Sequence, residues 1–365
     1  MNVAPSLPPA QVIRVLVVDD SAFMRRAITQ MLEHDPRIQV IATARDGAEA
    51  LDEALTLKPD VITLDLEMPN VDGLTALQRI MAECPTNVII LSSLTTAGSH
   101  AALRAMSLGA ADILAKDVSQ VSLSITRMQS DLIASVHALA AKPRQAGTQA
   151  RHLKAHVKDF VLRERDVDVI CIGSSTGGPA CLETILKQFP ASLRVPVVIA
   201  QHMPGLFTRS LAERLNELCP LTVQHADVDQ ALLPGHVYVA MGGNQARLHA
   251  TPGRSLRLEL SDDPPDALYK PSVDILFASA AQAFRSRVLA VVLTGMGTDG
   301  LIGSGDLRTA GAKIIAQNAD SCIVYGMPKA VTENGLVDAS LDPSDIARFF
   351  QKLVTTATPH GSHHK

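Results

Sequence analysis

The sequence contains no tryptophan, and aromatic residues make up only 3% of it. Stacking platforms for single-stranded nucleic acid are made of such rings, and a formal net charge of -4 offers no basic footprint, so no nucleic-acid partner is expected. Cysteine is scarce and unpatterned: Cys84, Cys171, Cys181, Cys219 and Cys322 are odd in number and never spaced C-x-x-C. That spacing argues against a disulfide framework and a zinc site, and leaves the thiols as small buried apolar groups. No apolar run approaches the ~18 residues that mark a membrane-spanning helix. The amino-terminal stretch MNVAPSLPPAQ also lacks the basic and apolar regions of a secretory signal. A cytoplasmic protein with no direct membrane insertion is therefore expected.

What is present is apolar mass in a regular rhythm. Apolar residues form 47% of 365, enough for two cores, and a chain of this length is expected to split into two domains. Through the first third, short β-branched runs alternate with amphipathic stretches, as in βαβ units. The runs IRVLVV, IQVIA, DVITL, NVIIL and ADILA give strands at 13–18, 38–42, 60–64, 87–91 and 111–115. A polar, Lys- and Arg-rich stretch with Pro143 and Gly147 breaks the rhythm, which resumes with VDVICIG, VPVVIA, HVYVA, VLAVVLTG and AKIIAQ. The expected fold class is α/β, with an N-terminal doubly wound, five-stranded parallel domain over 11–130 and a C-terminal, mainly parallel α/β domain over 166–355. Residues 131–165 read as a helix end and linker, and 356–365 as a polar tail. The tail's His360, His363 and His364 read as part of an unstructured terminus rather than as metal ligands.

In an open parallel sheet, ligands bind beyond the carboxyl ends of the strands. Strand one ends in Asp19 and Asp20, strand three in Asp65, strand four in Ser92 and Ser93, and strand five in Lys116. Three carboxylates in one place repel unless a hard cation sits among them, and oxygen donors suit Mg2+, so Asp19, Asp20 and Asp65 are the candidate metal ligands. A phosphoryl group on Asp65 would meet the metal, the Lys116 ammonium and the Ser92 hydroxyl. Singly, Asp20 or Ser21 serves equally well as a helix cap and Lys116 as a solvated charge; jointly, on four strand ends, the set points to phosphate chemistry. At VLVVDDSAFMRR, DVITLDLEMPNVDGL, IILSS and Lys116 the chain resembles the response-regulator receiver family. The resemblance implies that a partner histidine kinase phosphorylates Asp65 with Mg2+ as cofactor. Ile113 stands where receivers usually carry an aromatic switch residue and Asp117 where they carry proline, so an aromatic-rotamer switch is not expected.

The segment VDVICIGSSTGGPACLETILKQF reads as strand, glycine-rich turn and helix. Within it Gly173-Ser174-Ser175-Thr176-Gly177 fits G-x-S-x-G, a turn that lifts one serine above the sheet while helix amides aim at the same spot. Such turns also bind phosphate, but neither the Walker nor the dinucleotide fingerprint fits. His202 follows the next strand in VPVVIAQHMPG and Asp299 a later one in VLAVVLTGMGTDG, so one crevice can hold all three side chains. A serine hydroxyl is a poor nucleophile until an imidazole takes its proton, and the imidazole needs a carboxylate to fix its tautomer. Ser174 is the rival nucleophile. His225, His236 and His249 read as solvated or structural, and Asp274 as a helix-start carboxylate beside Lys270, Pro271 and Ser272, candidates for lining a substrate groove.

The stretches CIGSSTGGP, VVIAQHMPGLFTRSLAERLN, LPGHVYVAMGG, YKPSVDILF, VVLTGMGTDG and SCIVYGMPKAV resemble the catalytic domain of the chemotaxis-specific protein-glutamate methylesterase family. That resemblance implies Ser175 as nucleophile, His202 as general base and then acid, Asp299 as its orienting carboxylate, the Met296 amide in the oxyanion hole and Thr176 as a close neighbour. It further implies phosphorylation-controlled hydrolysis of glutamate γ-methyl esters on the cytoplasmic helices of methylated chemoreceptors, deamidation of receptor glutamines, and no cofactor for the esterase chemistry. A scaffold with an inactive hydrolase-like domain and an esterase of small molecules are the rival readings.

Overall fold

In a computed structural model, residues 12–116, 123–141, 156–157, 162–250 and 256–355 are described. Asp117, most of the linker and the tail with His360, His363 and His364 lie outside them. The chain forms two compact units.

The central apolar runs of the N-terminal half are buried on both faces, the pattern of a parallel sheet covered by helices. Its elements are β1 (Ile13–Val18), α1 (Ala22–Leu32), β2 (Ile38–Ala44), α2 (Gly47–Leu57), β3 (Val61–Asp65), α3 (Gly73–Glu83), β4 (Asn87–Ser93), α4 (Thr96–Ser107), β5 (Asp112–Lys116) and α5 (Leu123–Ala140). All pairings are parallel, in the order β2-β1-β3-β4-β5. Side-chain caps start the helices: Ser21 Oγ accepts from the Met24 amide, Asp46 from Ala48 and Glu49, and Asp72 from Thr75. The winding direction reverses between β1 and β3, so Asp19, Asp20 and Asp65 leave the sheet at its switch point.

The second half runs β6 (His156–Val157), β7 (Val169–Ser174), α6 (Gly178–Leu186), β8 (Val197–Gln201), α7 (Gly205–Leu218), β9 (Thr222–His225), β10 (Gln230–Ala231), β11 (His236–Val239), β12 (Gln245–Ala250) and β13 (Leu256–Ser261). It continues with α8 (Val273–Phe284), β14 (Val288–Val292), α9 (Leu301–Thr309), β15 (Lys313–Gln317), α10 (Met327–Glu333), β16 (Ala339–Leu341) and α11 (Pro343–Thr355). Eight strands form one sheet in the order β6-β16-β15-β14-β7-β8-β11-β9, parallel except where β6 meets β16. An antiparallel ribbon, β10-β13-β12, stands apart from it. From β7 the chain winds through β8 to one side and from β14 through β15 to the other, which puts the switch point between β7 and β14.

Helix α8 lies against this junction and buries Val273, Leu276, Phe277, Ala280 and Phe284 among Val169, Val198 and Val292. The packing is close enough to dictate Gly173, where a Cβ would sit 2.3 Å from Val273 Cγ1. Among the described residues no helix is long and apolar enough to cross a membrane. Cys171, Cys181 and Cys322 are buried thiols. Burial pushes the Cys171 thiol up, and that of Cys181 to about 11, so neither supplies a thiolate at neutral pH.

Candidate active site and phosphoacceptor pocket

Strands β14, β7 and β8 are neighbours, and each delivers one stretch of the site from its carboxyl end. Ser175 follows β7 directly, and α6 opens three residues later at Gly178. The turn is made by Gly177, at φ 79°, where a side chain would also come within 2.7 Å of Ile323. Ser175 is not among the residues with positive φ, so the left-handed backbone falls on the glycine and not on the serine, unlike the strained elbow the G-x-S-x-G pattern suggests. The Ser175 amide donates to Thr294 O at 3.1 Å, and Gly295 lies so near that a Cβ on it would be 2.7 Å from Ser175 Cβ. Met296, half-buried, follows in the same loop, and Thr176 is buried with its carbonyl accepting from Thr294 Oγ1 at 3.0 Å.

His202 and Asp299 meet directly: Nε2 lies 2.7 Å from Oδ2. Asp299 is buried where α8 begins, accepting from Ser272 Oγ (2.9 Å), the Val273 amide (2.7 Å) and the Asp274 amide (3.0 Å). A helix amino terminus is a natural seat for an anion. Burial by itself would raise this carboxyl, but the bond to His202, the imidazole charge and the two amides outweigh it and hold Asp299 below the usual carboxylate range. A carboxylate only accepts, so His202 Nε2 carries the hydrogen and Nδ1 is the basic nitrogen. Nδ1 is buried and has no hydrogen-bond partner, so Ser175 Oγ is not bonded to it in this geometry, as is common before substrate binds. The imidazole is stacked on Tyr269, with centroids 4.2 Å apart and planes 5° from parallel.

The other sequence candidates fall elsewhere. Ser174, the rival nucleophile, is fully buried and donates to Gln201 Oε1 at 2.6 Å, which removes it from the surface. His225 Nε2 lies 3.0 Å from Thr208 Oγ1, and burial, with help from the Arg209 charge, lowers its pKa. His236 Nδ1 contacts Pro234 O at 3.0 Å, and His249 pairs with Glu259 at 2.8 Å. Lys270 is turned to Asp262 and the Pro265 carbonyl. A cleft of about 220 Å³ is lined by residues including Tyr269, Ser272, Asp274, Thr298 and Asp299. Asp274 accepts from the Gly303 amide at 2.8 Å, yet burial and the Asp299 charge push its pKa up to about 6. Sequence reasoning missed Tyr269 and Gln201; the only signal was their place beside motif residues.

In the N-terminal sheet, one carboxylate oxygen from each of Asp19, Asp20 and Asp65 lies within 4.8 Å of the others. Lys116 Nζ bridges two of them, 2.7 Å from Asp19 Oδ2 and 2.7 Å from Asp65 Oδ2. Asp65 is raised above the usual carboxylate range, by burial first; Lys116 opposes the rise and the Asp19 charge adds to it. Arg25 Nη1 donates to the Asp19 and Asp20 carbonyls at 2.7 and 3.0 Å, fixing the acidic loop. Ser92 is buried at the end of β4, one position beyond Leu91, which pairs with Asp65. Ile113 pairs with Ile90 inside the sheet.

Known proteins share this architecture. The CheB methylesterase family matches residues 170–350, and the response regulator receiver domain family matches residues 15–126. A protein-glutamate methylesterase/protein-glutamine glutaminase of Oleidesulfovibrio alaskensis is 43% identical over 367 residues, covering 94% of this chain and 99% of its own. A relative of the same name in Halalkalibacterium halodurans is 44% identical over 331 residues, covering 89% of this chain and 94% of its own. The crystal structure of the Thermotoga maritima CheB methylesterase catalytic domain superposes with a TM-score of 0.50 at 38% identity, over 52% of this chain and 99% of that one. With identity above two-fifths along nearly its whole length, and a receiver followed by a CheB-type catalytic sheet, the chain belongs to the protein-glutamate methylesterase/protein-glutamine glutaminase family.

Proposed function

We propose that this cytoplasmic protein hydrolyses glutamate γ-methyl esters on the cytoplasmic helices of chemoreceptors, deamidates receptor glutamines at the same site, and is switched by phosphorylation of Asp65. The observation that carries the reading is the ionised Asp299 bonded to His202 Nε2, on a residue whose amide is held by the Ser174 carbonyl next to Ser175.

Ser175 Oγ forms a bond to the ester carbonyl carbon as His202 Nδ1 takes the hydroxyl proton, and the carbonyl electron pair moves to oxygen. The Met296 amide, in the loop packed against Ser175, donates to that oxyanion, with Thr176 close by. Collapse breaks the bond to the methoxy oxygen, which takes the proton back from His202 and leaves as methanol; from a glutamine the leaving group is ammonia. Water, losing its proton to His202, then attacks the acyl-serine carbonyl carbon, and the bond to Ser175 Oγ breaks as His202 returns that proton to the serine oxygen, freeing the glutamate. Asp299 steadies the imidazolium in both halves.

For Asp65, a partner histidine kinase is the phosphodonor. The oxygen donors of Asp19, Asp20 and Asp65 suit Mg2+, which would offset phosphate charge when bound. Lys116, which bridges Asp19 and Asp65, would pair with a phosphoryl oxygen, and Ser92 would offer its hydroxyl.

The test uses membranes carrying tritium-methylated chemoreceptor and follows methanol release. Ser175→Ala is expected to lower turnover by at least ~1000-fold. Turnover above that residue removes Ser175 as nucleophile, while full activity on small methyl esters with none on receptor would favour a small-molecule esterase.

A further inference from the structure

The nucleophile turn and the histidine loop are clasped by one side chain. Gln201 ends β8, pairs in register with Ser174 at the end of β7, and is almost completely buried. Its Oε1 accepts from Ser174 Oγ at 2.6 Å, which fixes the amide orientation. Its Nε2 then donates to the Ser175 carbonyl at 3.0 Å and to the His202 carbonyl at 3.3 Å. The His202 amide closes the clasp by donating to Ser174 O at 3.0 Å.

A buried carboxamide is costly unless its polar atoms are bonded, and an aliphatic side chain would fill the same space in a strand. Here both oxygen and nitrogen are bonded, and the two carbonyls served belong to the residues read as nucleophile and base. The chain also keeps room for it: a Cβ on Gly178 would lie 2.1 Å from Gln201 Oε1. Two further glutamines at strand termini, both fully buried, pin the remaining loops. Gln245 Oε1 accepts from the Ser272 amide and its Nε2 donates to Tyr269 O, each at 2.8 Å, while Gln317 Oε1 accepts from the Thr294 amide at 2.8 Å.

We infer that Gln201 is a positioning residue, oriented by Ser174, that sets the approach of Ser175 to His202 Nδ1. The inference rests on the proposed roles of Ser175 and His202. Misplacing reacting groups by about 1 Å costs on the order of 100-fold in rate, so a loosened clasp acts on kcat and not on substrate affinity.

The experiment compares Gln201→Leu, Gln201→Glu and Ser174→Ala with the wild-type full chain on tritium-methylated receptor membranes, normalised to folded protein by circular dichroism. Gln201→Leu is expected to lower kcat by about 10- to 100-fold with KM unchanged. Ser174→Ala, which frees the amide to turn, is expected to lower kcat less. In Gln201→Glu the ionised carboxylate cannot donate, but a buried carboxyl with a raised pKa regains a donor on protonation. Its kcat relative to wild type therefore rises as pH falls, a profile absent from Gln201→Leu. Should Gln201→Leu not fold, the Gln201→Glu profile and the Ser174→Ala rate decide. Folded variants with wild-type kcat, or a Gln201→Glu ratio independent of pH, overturn the inference. If Ser175→Ala stays active, the underlying nucleophile assignment fails instead.

Discussion

Asp65 and Asp299 occupy equivalent places in two different sheets. Each stands at or beyond the carboxyl end of a parallel strand, at the position where the strand order reverses, and each is buried. Their environments push them apart. Asp299 is met by an imidazole, a hydroxyl and two helix amides, which overcome the cost of burial and keep it ionised. Asp65 has Lys116 on one side but the Asp19 carboxylate on the other, and burial leaves it raised. Topology chooses where a reactive carboxylate can be placed; the donors around it decide whether it is a fixed charge or a group that gains from a cation or a phosphoryl partner.

The sharpest way to break this comparison is Asp299→Asn. An asparagine cannot hold the Nε2–H tautomer, and kcat for methanol release is expected to fall on the order of 10,000-fold. A loss below about tenfold would mean that His202 is oriented by something other than this carboxylate. Beryllofluoride with Mg2+ is expected to raise the wild-type rate, and the matching change, Asp65→Asn, is expected to abolish that rise. A rise that survives the substitution would place the phosphoacceptor elsewhere.

The smallest effect concerns a third carboxylate. Asp274 has its pKa raised to about 6, with burial and the Asp299 charge as causes. Between the ordinary value of 3.8 and about 6 the folded protein binds more protons than the unfolded chain, so this group's contribution to stability is present below that window and lost as pH rises through it. Asp274→Asn keeps an acceptor for the Gly303 amide and removes the charge. It is expected to raise stability by about 1 kcal/mol above pH ~6, the partial exposure of the site limiting the gain, with no gain below pH ~4. Thermal melts across that range check the sign.

Much of the architecture was legible beforehand. The five runs from IRVLVV to ADILA form the expected parallel sheet, because long β-branched segments buried on both faces permit little else. In the second half, VDVICIG, VPVVIA, HVYVA, VLAVVLTG and AKIIAQ all contribute strands, but β9, β12, β13 and β16 gave no clear signal. Those are short or carry charge, as in QARLHA and LRLELS, where pairing with the neighbouring strand and packing on α8 decide the conformation. At the site, motifs single out Ser175, His202 and Asp299, whereas Gln201 and Tyr269 lie inside the same quoted stretches without any local pattern that marks the contacts they make.

The sequence by itself determined the alternation of elements and which residues stand at strand ends, because both follow from local hydrophobic period and turn chemistry. Only the tertiary structure decided that Asp299 sits in the mouth of α8, that Asp274 shares its field, and that His202 turns Nε2 toward the acid and leaves Nδ1 basic. Those outcomes depend on groups far apart in the chain, brought together when β7, β8 and β14 pair side by side and α8 packs over them.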